Sequence, residues 1–212
     1  MESVIRDYLV ESLSASRILT SYQHGFTKGR SCATNLMVAF ETWTKWLDEG
    51  FGVDIIYLDY RKAFDSVSHT KPIEKLLILN VDPSLIKCIA AFLLDRKMRV
   101  KVKVGFSDWI VILSGVPQGS VLGPILFLIF INDLPLLIRH SMMLLFADDT
   151  KVWRKVADSH DEALLQQHLD GLSNWTKHWS LQFNVDKCKS MRIAHEGYPD
   201  YTLHGVKLKE VL

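Results

Sequence analysis

Two adjacent carboxylates, Asp148 and Asp149, directly follow the apolar run 142–146 in the stretch Leu145-Phe146-Ala147-Asp148-Asp149. Ionised carboxylates are costly to bury unless a partner compensates them, so a strand ending in two acids beside a core invites a bound cation. A third acid, Asp59, ends another apolar run, Val53-Asp54-Ile55-Ile56-Tyr57-Leu58. Two strands delivering these acids to one spot would suit a hard, oxygen-binding ion such as Mg²⁺. Pairs of such ions are the equipment of phosphoryl transfer. An Asp-Asp pair after a strand also serves simply as a turn, because Asp tolerates turn conformations, so the rest of the chain has to discriminate.

The elements that must position these acids can be read from periodicity. Residues 53–59 form an expected buried strand, as do 142–147, with the Asp pair as a turn and 150–156 as the return strand. Val4, Ile5, Tyr8, Leu9 and Leu13 place a helix over 3–19. A polar loop, 22–31, ends in Ser31, an N-cap for a helix carrying Leu36, Ala39, Phe40, Trp43 and Leu47 that stops at Gly50. Helices are expected over 72–80 and 83–95, with Pro72 and Pro83 in their first turns. Residues 97–104 alternate, Lys97, Arg99, Lys101 and Lys103 against Met98, Val100, Val102 and Val104, which predicts a strand with one basic face. That face suits either an edge protected by lysine or nucleic-acid phosphate. Gly105 and Asp108 suggest a turn into a second strand, 109–113. The loop 114–120 leads into a long apolar helix over about 120–138, then 160–178 make an amphipathic helix, with short strands near 188–194 and 201–208. This order predicts an α+β fold, an antiparallel sheet packed on helices.

Composition narrows the classes. The 212 residues are 48% hydrophobic and 23% charged, ordinary for a folded domain with a sizeable core. A net charge of +1 argues against a globally basic binder, so a nucleic acid would need a local basic surface. Cys32, Cys88 and Cys188 have no paired spacing, which disfavours a zinc knuckle or disulfide framework and fits a reducing setting. No signal peptide is evident at the N-terminus. Gly123, Pro124, Asn132, Asp133 and Pro135 interrupt the most apolar stretch, 121–138, so it is expected to be a core helix with no membrane partner.

Five segments, in order, resemble the reverse transcriptases of non-LTR (LINE-type) retrotransposons. They are Gln23-His24-Gly25-Phe26 through Gly29-Arg30-Ser31; Tyr57-Leu58-Asp59-Tyr60-Arg61-Lys62-Ala63-Phe64-Asp65; Gly115-Val116-Pro117-Gln118-Gly119-Ser120 with Leu122-Gly123-Pro124; Phe146-Ala147-Asp148-Asp149; and Phe183-Asn184 with Lys187-Cys188-Lys189. The resemblance implies a polymerase palm with partial fingers: residues 1–50 as partial fingers and fingers-palm helices, 51–195 as the catalytic palm, and 196–212 as the start of a truncated primer-grip region. It implies that Asp59, Asp148 and Asp149 form the acidic cluster for two Mg²⁺ ions, with Mn²⁺ as a substitute. Phe64 would exclude a 2′-hydroxyl and so select deoxynucleotides. Backbone amides around Lys62 and Ala63 would meet the triphosphate. Gln118 and Gly119, before a helix N-terminus that favours phosphate, would lie against the nucleotide, and Lys187 would assist the leaving group. Lys28 and Arg30 would contact template or nucleotide phosphate, and Arg99, Lys101 and Lys103 would offer a further basic surface. Asp65 and Asp54 serve as comparisons, the first structural and the second away from the strand tip.

The implied partners are an RNA template, a DNA primer and deoxynucleoside triphosphates, in the nucleus or cytoplasm. Upstream fingers strands and a downstream thumb, which the family carries, are not expected within 212 residues. Two other readings remain open at this stage. One is a catalytically inactive retrotransposon remnant or domesticated nucleic-acid binder. The other is a palm-type nucleotidyl cyclase, against which Phe64 and the Gly115–Ser120 loop argue.

Overall fold

The computed structural model describes residues 1–16, 18–195 and 200–211. In chain order the elements are α1 (Glu2–Ala15), α2 (Cys32–Asp48), β1 (Gly52–Leu58), α3 (Ala63–Ser66), α4 (Thr70–Ile78), α5 (Pro83–Leu93), β2 (Lys97–Met98), β3 (Lys101–Val102), β4 (Gly105–Phe106), β5 (Ile110–Val111), α6 (Leu122–Phe130), a 3₁₀ turn (Leu134–Leu137), β6 (Met142–Phe146), β7 (Asp149–Val156), α7 (Ser159–Trp179), β8 (Lys189–Ile193), β9 (Thr202–Leu203), β10 (Val206–Lys207) and β11 (Lys209–Val211). Residue contacts divide them into two compact units, one of residues 1–19 and 64–130, the other of residues 20–63 and 131–212. Among the described residues no helix is long and apolar enough to cross a membrane.

The second unit is built on a five-stranded sheet in the order β11-β8-β1-β7-β6. β1 is central, and all its residues but Tyr57 are buried. It runs antiparallel to both neighbours, with Leu58 opposite Thr150 on β7 and Tyr57 opposite Lys189 on β8. The β8–β11 pair is parallel. Successive strand residues point to opposite faces. Val53 and Ile55 therefore share a core with Ala39 and Trp43 of α2, Leu144 and Trp153. The Trp43 and Trp153 rings meet edge to face at 6.0 Å. Asp54, pointing the other way, reaches α7 through Arg192, which also holds Glu162. The edge strand β6 is covered by residues 22–24: Leu145 donates to the Tyr22 carbonyl and accepts from the His24 amide.

α2 starts where its sequence signals. Ser31 accepts from the Thr34 amide, and Thr34 returns the bond to the Ser31 amide, closing a capping box. Its expected apolar stripe is only half used, for Ala39 and Trp43 are buried while Leu36 and Phe40 are exposed.

The first unit packs α1, α4, α5 and α6 around Leu9, Leu13, Leu76, Ile89, Leu93 and Leu126. Three expectations are corrected here. The apolar stretch 120–138 is not one helix: α6 ends at Phe130. Beyond it Asn132 accepts from the Thr20 amide, Asp133 accepts from the Trp175 indole, and Pro135 enters the 3₁₀ turn, so these side chains and the missing proline amide favour leaving the helix. The α6 N-terminus is not an open phosphate site either, because Glu2 already accepts from the Val121 and Leu122 amides. Nor do residues 97–104 form one alternating strand. β2 pairs with β5 and β3 with β4, and the reversal falls at 103–104, where Lys103 is left-handed (φ 53°), instead of at 105–108. The face opposite the lysines has no core to meet, since Met98, Val100, Val102 and Val104 are all exposed.

Candidate active site

Two strand ends form the site. β1 ends at Leu58, opposite Thr150, and the next residue is Asp59. β6 and β7 join through Ala147 and Asp148, with Phe146 opposite Asp149. The three acids are thereby delivered to one end of the sheet. Asp59 and Asp149 line a cavity of about 330 Å³ with Tyr57, Lys151, Lys187 and Cys32, the exposed first residue of α2. Burial raises the pKa of the Asp148 carboxyl, and the charges of Asp149 and Asp59 push it the same way.

Asp59 is held by a strap formed by residues 182–188. The Asn184 amide donates to the Asp59 carbonyl at 2.8 Å, and the Arg61 amide donates to the Gln182 carbonyl at 2.7 Å. The Asp59 amide donates to the buried Cys188 sulfur at 3.4 Å. Tyr60 stacks on Phe183 with 4.8 Å between ring centroids. Burial drives the Tyr60 phenol well above its ordinary pKa, so it stays neutral. The strap also delivers Lys187, whose Nζ lies 3.7 Å from Asp59 Oδ2. The other oxygen, Oδ1, is buried with no hydrogen-bond partner among the described residues. An unpartnered buried carboxylate oxygen is expensive, and a hard divalent cation is the partner this donor fits. A complete ligand set is not assembled, however. Among the described residues no three His, Cys, Asp or Glu side chains are grouped to hold a metal ion. Asp148 is half-buried and Asp149 exposed, and like charges with no cation between them repel. Mg²⁺ commonly takes one or two carboxylates and completes its shell with water and substrate oxygens.

The remaining expected residues divide by unit. In the unit carrying the acids, Lys62 is exposed and left-handed (φ 48°) and Ala63 is buried. Lys28 is exposed. Arg30 is not purely solvated: it donates to His24 Nε2 at 2.7 Å, while His24 Nδ1 faces the Thr34 hydroxyl. In the other unit Phe64 stacks on Phe127 at 4.4 Å and lines a cavity of about 350 Å³ with Val116, Pro117, Gln118, Gly119 and Pro124. Gln118 donates to Asp65 Oδ1 at 2.7 Å, and the Asp65 carbonyl accepts from Ser114, which makes Asp65 a structural acid. Arg99 lies over the Phe106 and Trp109 rings at 4.0 and 4.6 Å, and Lys101 over Phe106 at 5.5 Å. Lys103 occupies the turn.

A family profile described as "Reverse transcriptase (RNA-dependent DNA polymerase)" matches residues 1–207. This chain belongs to the reverse transcriptase family. Within it, the chain is 30% identical over 221 residues to the probable RNA-directed DNA polymerase from transposon BS of Drosophila melanogaster, covering 99% of this chain and 24% of that protein. It is 28% identical over 218 residues to the RNA-directed DNA polymerase from mobile element jockey of the same fly, covering 97% and 23%. The chain thus spans about a quarter of the length of these relatives. Among solved structures, the fold matches that of apo telomerase from Candida tropicalis truncated from its C-terminal domain, with a TM-score of 0.69 over 96% of this chain and 43% of that one at 16% identity. Telomerase from the same yeast, in complex with a TWJ fragment of telomeric RNA, gives a TM-score of 0.67 over 98% and 36%, also at 16% identity. The fold of this reverse transcriptase domain is the α+β polymerase palm.

Sequence reasoning missed the residues that hold the acids in place. Gln23 and Cys188 lay inside the recognised segments, but nothing in a single sequence separates a buried polar side chain from an exposed one. Asn35, which donates to the Leu145 carbonyl from within α2, carried no local signal.

Proposed function

We propose that this domain is the catalytic palm, with part of the fingers, of an RNA-directed DNA polymerase that adds deoxynucleotides to a primer 3′-hydroxyl on an RNA template. The observation that carries the proposal is the meeting of the β1 and β6–β7 ends, which gathers three acids, one of them with a buried oxygen unpartnered among the described residues, at one end of a sheet. In this reading Asp59 and Asp148 bind Mg²⁺ or Mn²⁺ and Asp149 completes the acidic cluster. Two such ions, when bound, supply an activated 3′-hydroxyl and neutralise the leaving pyrophosphate. The chain's own work is to hold the carboxylates in place, so that little reorganisation is needed as charge develops. The strap of residues 182–188 fixes Asp59 from behind. Lys187, beside Asp59 Oδ2, carries a proton toward the leaving group.

By resemblance, Lys62 and Ala63 contribute amides to the triphosphate, Phe64 selects deoxynucleotides, and Gln118 with Gly119 forms a further nucleotide contact. Lys28, Arg30, Arg99, Lys101 and Lys103 contact nucleic-acid phosphate. The domain assignment is residues 1–50 as partial fingers, 51–195 as palm and 196–212 as the start of the primer-grip region. Work at a chromosomal target would place the protein in the nucleus.

The test is primer extension on an RNA template with Mg²⁺ or Mn²⁺, run beside Asp148→Ala. Asp148-dependent incorporation of deoxynucleotides supports the proposal; no incorporation by the unaltered chain overturns it as an autonomous activity. The absence, among the described residues, of a grouped three-residue ligand set favours a second reading, a nucleic-acid-binding module without catalysis. Salt-sensitive RNA binding with no incorporation is its expected signature.

A further inference from the structure

We infer that Gln23 is a positioning residue for the acidic turn: its buried amide locks Ala147, and through Ala147 sets where Asp148 and Asp149 point. The inference rests on the polymerase reading of that turn. Gln23 is 5% exposed, and its side chain spans both polar groups of one distant residue. Oε1 accepts from the Ala147 amide at 2.9 Å and Nε2 donates to the Ala147 carbonyl at 3.3 Å. Oε1 also accepts from the Gly25 amide at 2.7 Å, which fixes the glutamine relative to its own loop.

Ala147 needs such a hold. It is buried and left-handed, with φ 54°, a conformation that a residue with a Cβ adopts only against a steric penalty. The loop carrying Gln23 is itself anchored two residues earlier in the hairpin. Leu145 exchanges backbone bonds with Tyr22 and His24, and Asn35 donates to the same Leu145 carbonyl at 3.1 Å. The approach is so close that a Cβ on Gly25 would collide with the Ala147 amide nitrogen. Two loops far apart in sequence, within one compact unit, are thus locked at the residue preceding the acids. Asp148 and Asp149 are adjacent like charges at the sheet end that also carries Asp59, and such charges repel. A turn free to relax would splay them, so the hold on Ala147 opposes that repulsion before any cation arrives.

The test uses the full chain with Gln23→Met, Gln23→Glu and the double variant Gln23→Met/Ala147→Gly. Three readouts are followed: amide exchange at Ala147, Mn²⁺ binding by water-proton relaxation, and single-nucleotide extension. In Gln23→Met, Ala147 is expected to exchange faster by about 10-fold or more while amides of β1 such as Ile55 keep their protection. Mn²⁺ binding weakens, and kcat drops by about 10-fold or more with KM for the deoxynucleotide within about twofold, the pattern of a misplaced group rather than a lost contact. Adding Ala147→Gly restores part of kcat, because glycine takes the left-handed backbone freely. Gln23→Glu keeps the size and both acceptor bonds but loses the donor, and shows the same signature if the methionine variant does not fold. Unchanged Ala147 exchange, or a loss of protection shared equally by Ile55 and not recovered by Ala147→Gly, overturns the inference. If the unaltered chain makes no Asp148-dependent product, the polymerase reading fails, and the clamp is then decided by exchange and Mn²⁺ binding alone.

Discussion

Asp54 and Asp59 lie five residues apart around one strand, and their surroundings are opposite. Asp54 is 1% exposed and fully compensated. Arg192 donates to both its oxygens at 2.9 and 3.0 Å, His195 Nε2 lies 3.1 Å from Oδ1, and Tyr201 donates its hydroxyl. Burial raises the Tyr201 phenol far above its ordinary pKa and the Asp54 charge adds to this, so it remains a donor. Asp59 instead keeps one buried oxygen unpartnered among the described residues. Removing one partner of a buried charge pair leaves the other charge uncompensated. Arg192→Met is therefore expected to cost about 3–5 kcal/mol of unfolding free energy in a urea titration; a loss below about 1 kcal/mol would show that the pair is idle. Position on the strand was enough to separate the two acids in the sequence, one near its start and one at its tip. The partners of Asp54 were not legible, because Arg192, His195 and Tyr201 stand more than 130 residues away and look like ordinary polar residues of a C-terminal segment.

Helices with local signals were the most readable elements. α2 is bounded by Ser31 at one end and by Gly50 just beyond the other, and its capping box is local chemistry that a short window contains. Ser31→Ala is expected to lower the unfolding free energy by about 1 kcal/mol, read as a shift in the denaturation midpoint with an unchanged slope. An undiminished midpoint would mean that solvent satisfies the Thr34 amide equally well. Elements shaped by distant side chains were misread. Nothing near residue 121 announces that Glu2 caps α6. Nothing near 132 announces that Thr20 and Trp175 will use Asn132 and Asp133 and help end the helix early. In 97–104 the alternation was real, but Arg99 found two aromatic faces on its own ribbon, and the apolar residues found no core. Alternation fixes the register of a strand strongly only where one face is buried.

At the scale of the molecule, the order of the recognised segments was the most informative property of the sequence, and the compact units follow from contacts that no segment reveals. Stability is expected to depend on pH through three histidines that burial keeps neutral. Burial lowers the pKa of His24, His168 and His204, with nearby charges adding to it: Arg30 for His24, Arg154 and His140 for His168, and Lys177 for His204. A histidine with a lowered folded-state pKa binds fewer protons folded than unfolded. Its contribution is complete above the usual value of about 6.5 and is lost as pH falls from there through the folded pKa. The urea midpoint should therefore drop between pH 7.5 and 5.5, and drop less in His168→Asn. A midpoint that holds or rises on acidification would contradict this.

The exposed sulfur of Cys32 on the rim of the cavity beside Asp59 and Asp149 makes the protein its own sensor. With Cys88, the other accessible thiol, changed to serine, a maleimide dye attaches at one place, while Cys188 stays shielded beneath the Asp59 backbone. A nucleotide or primer end that enters the cavity should slow that alkylation, and a label installed beforehand should obstruct entry, so occupancy could be followed by fluorescence without any turnover.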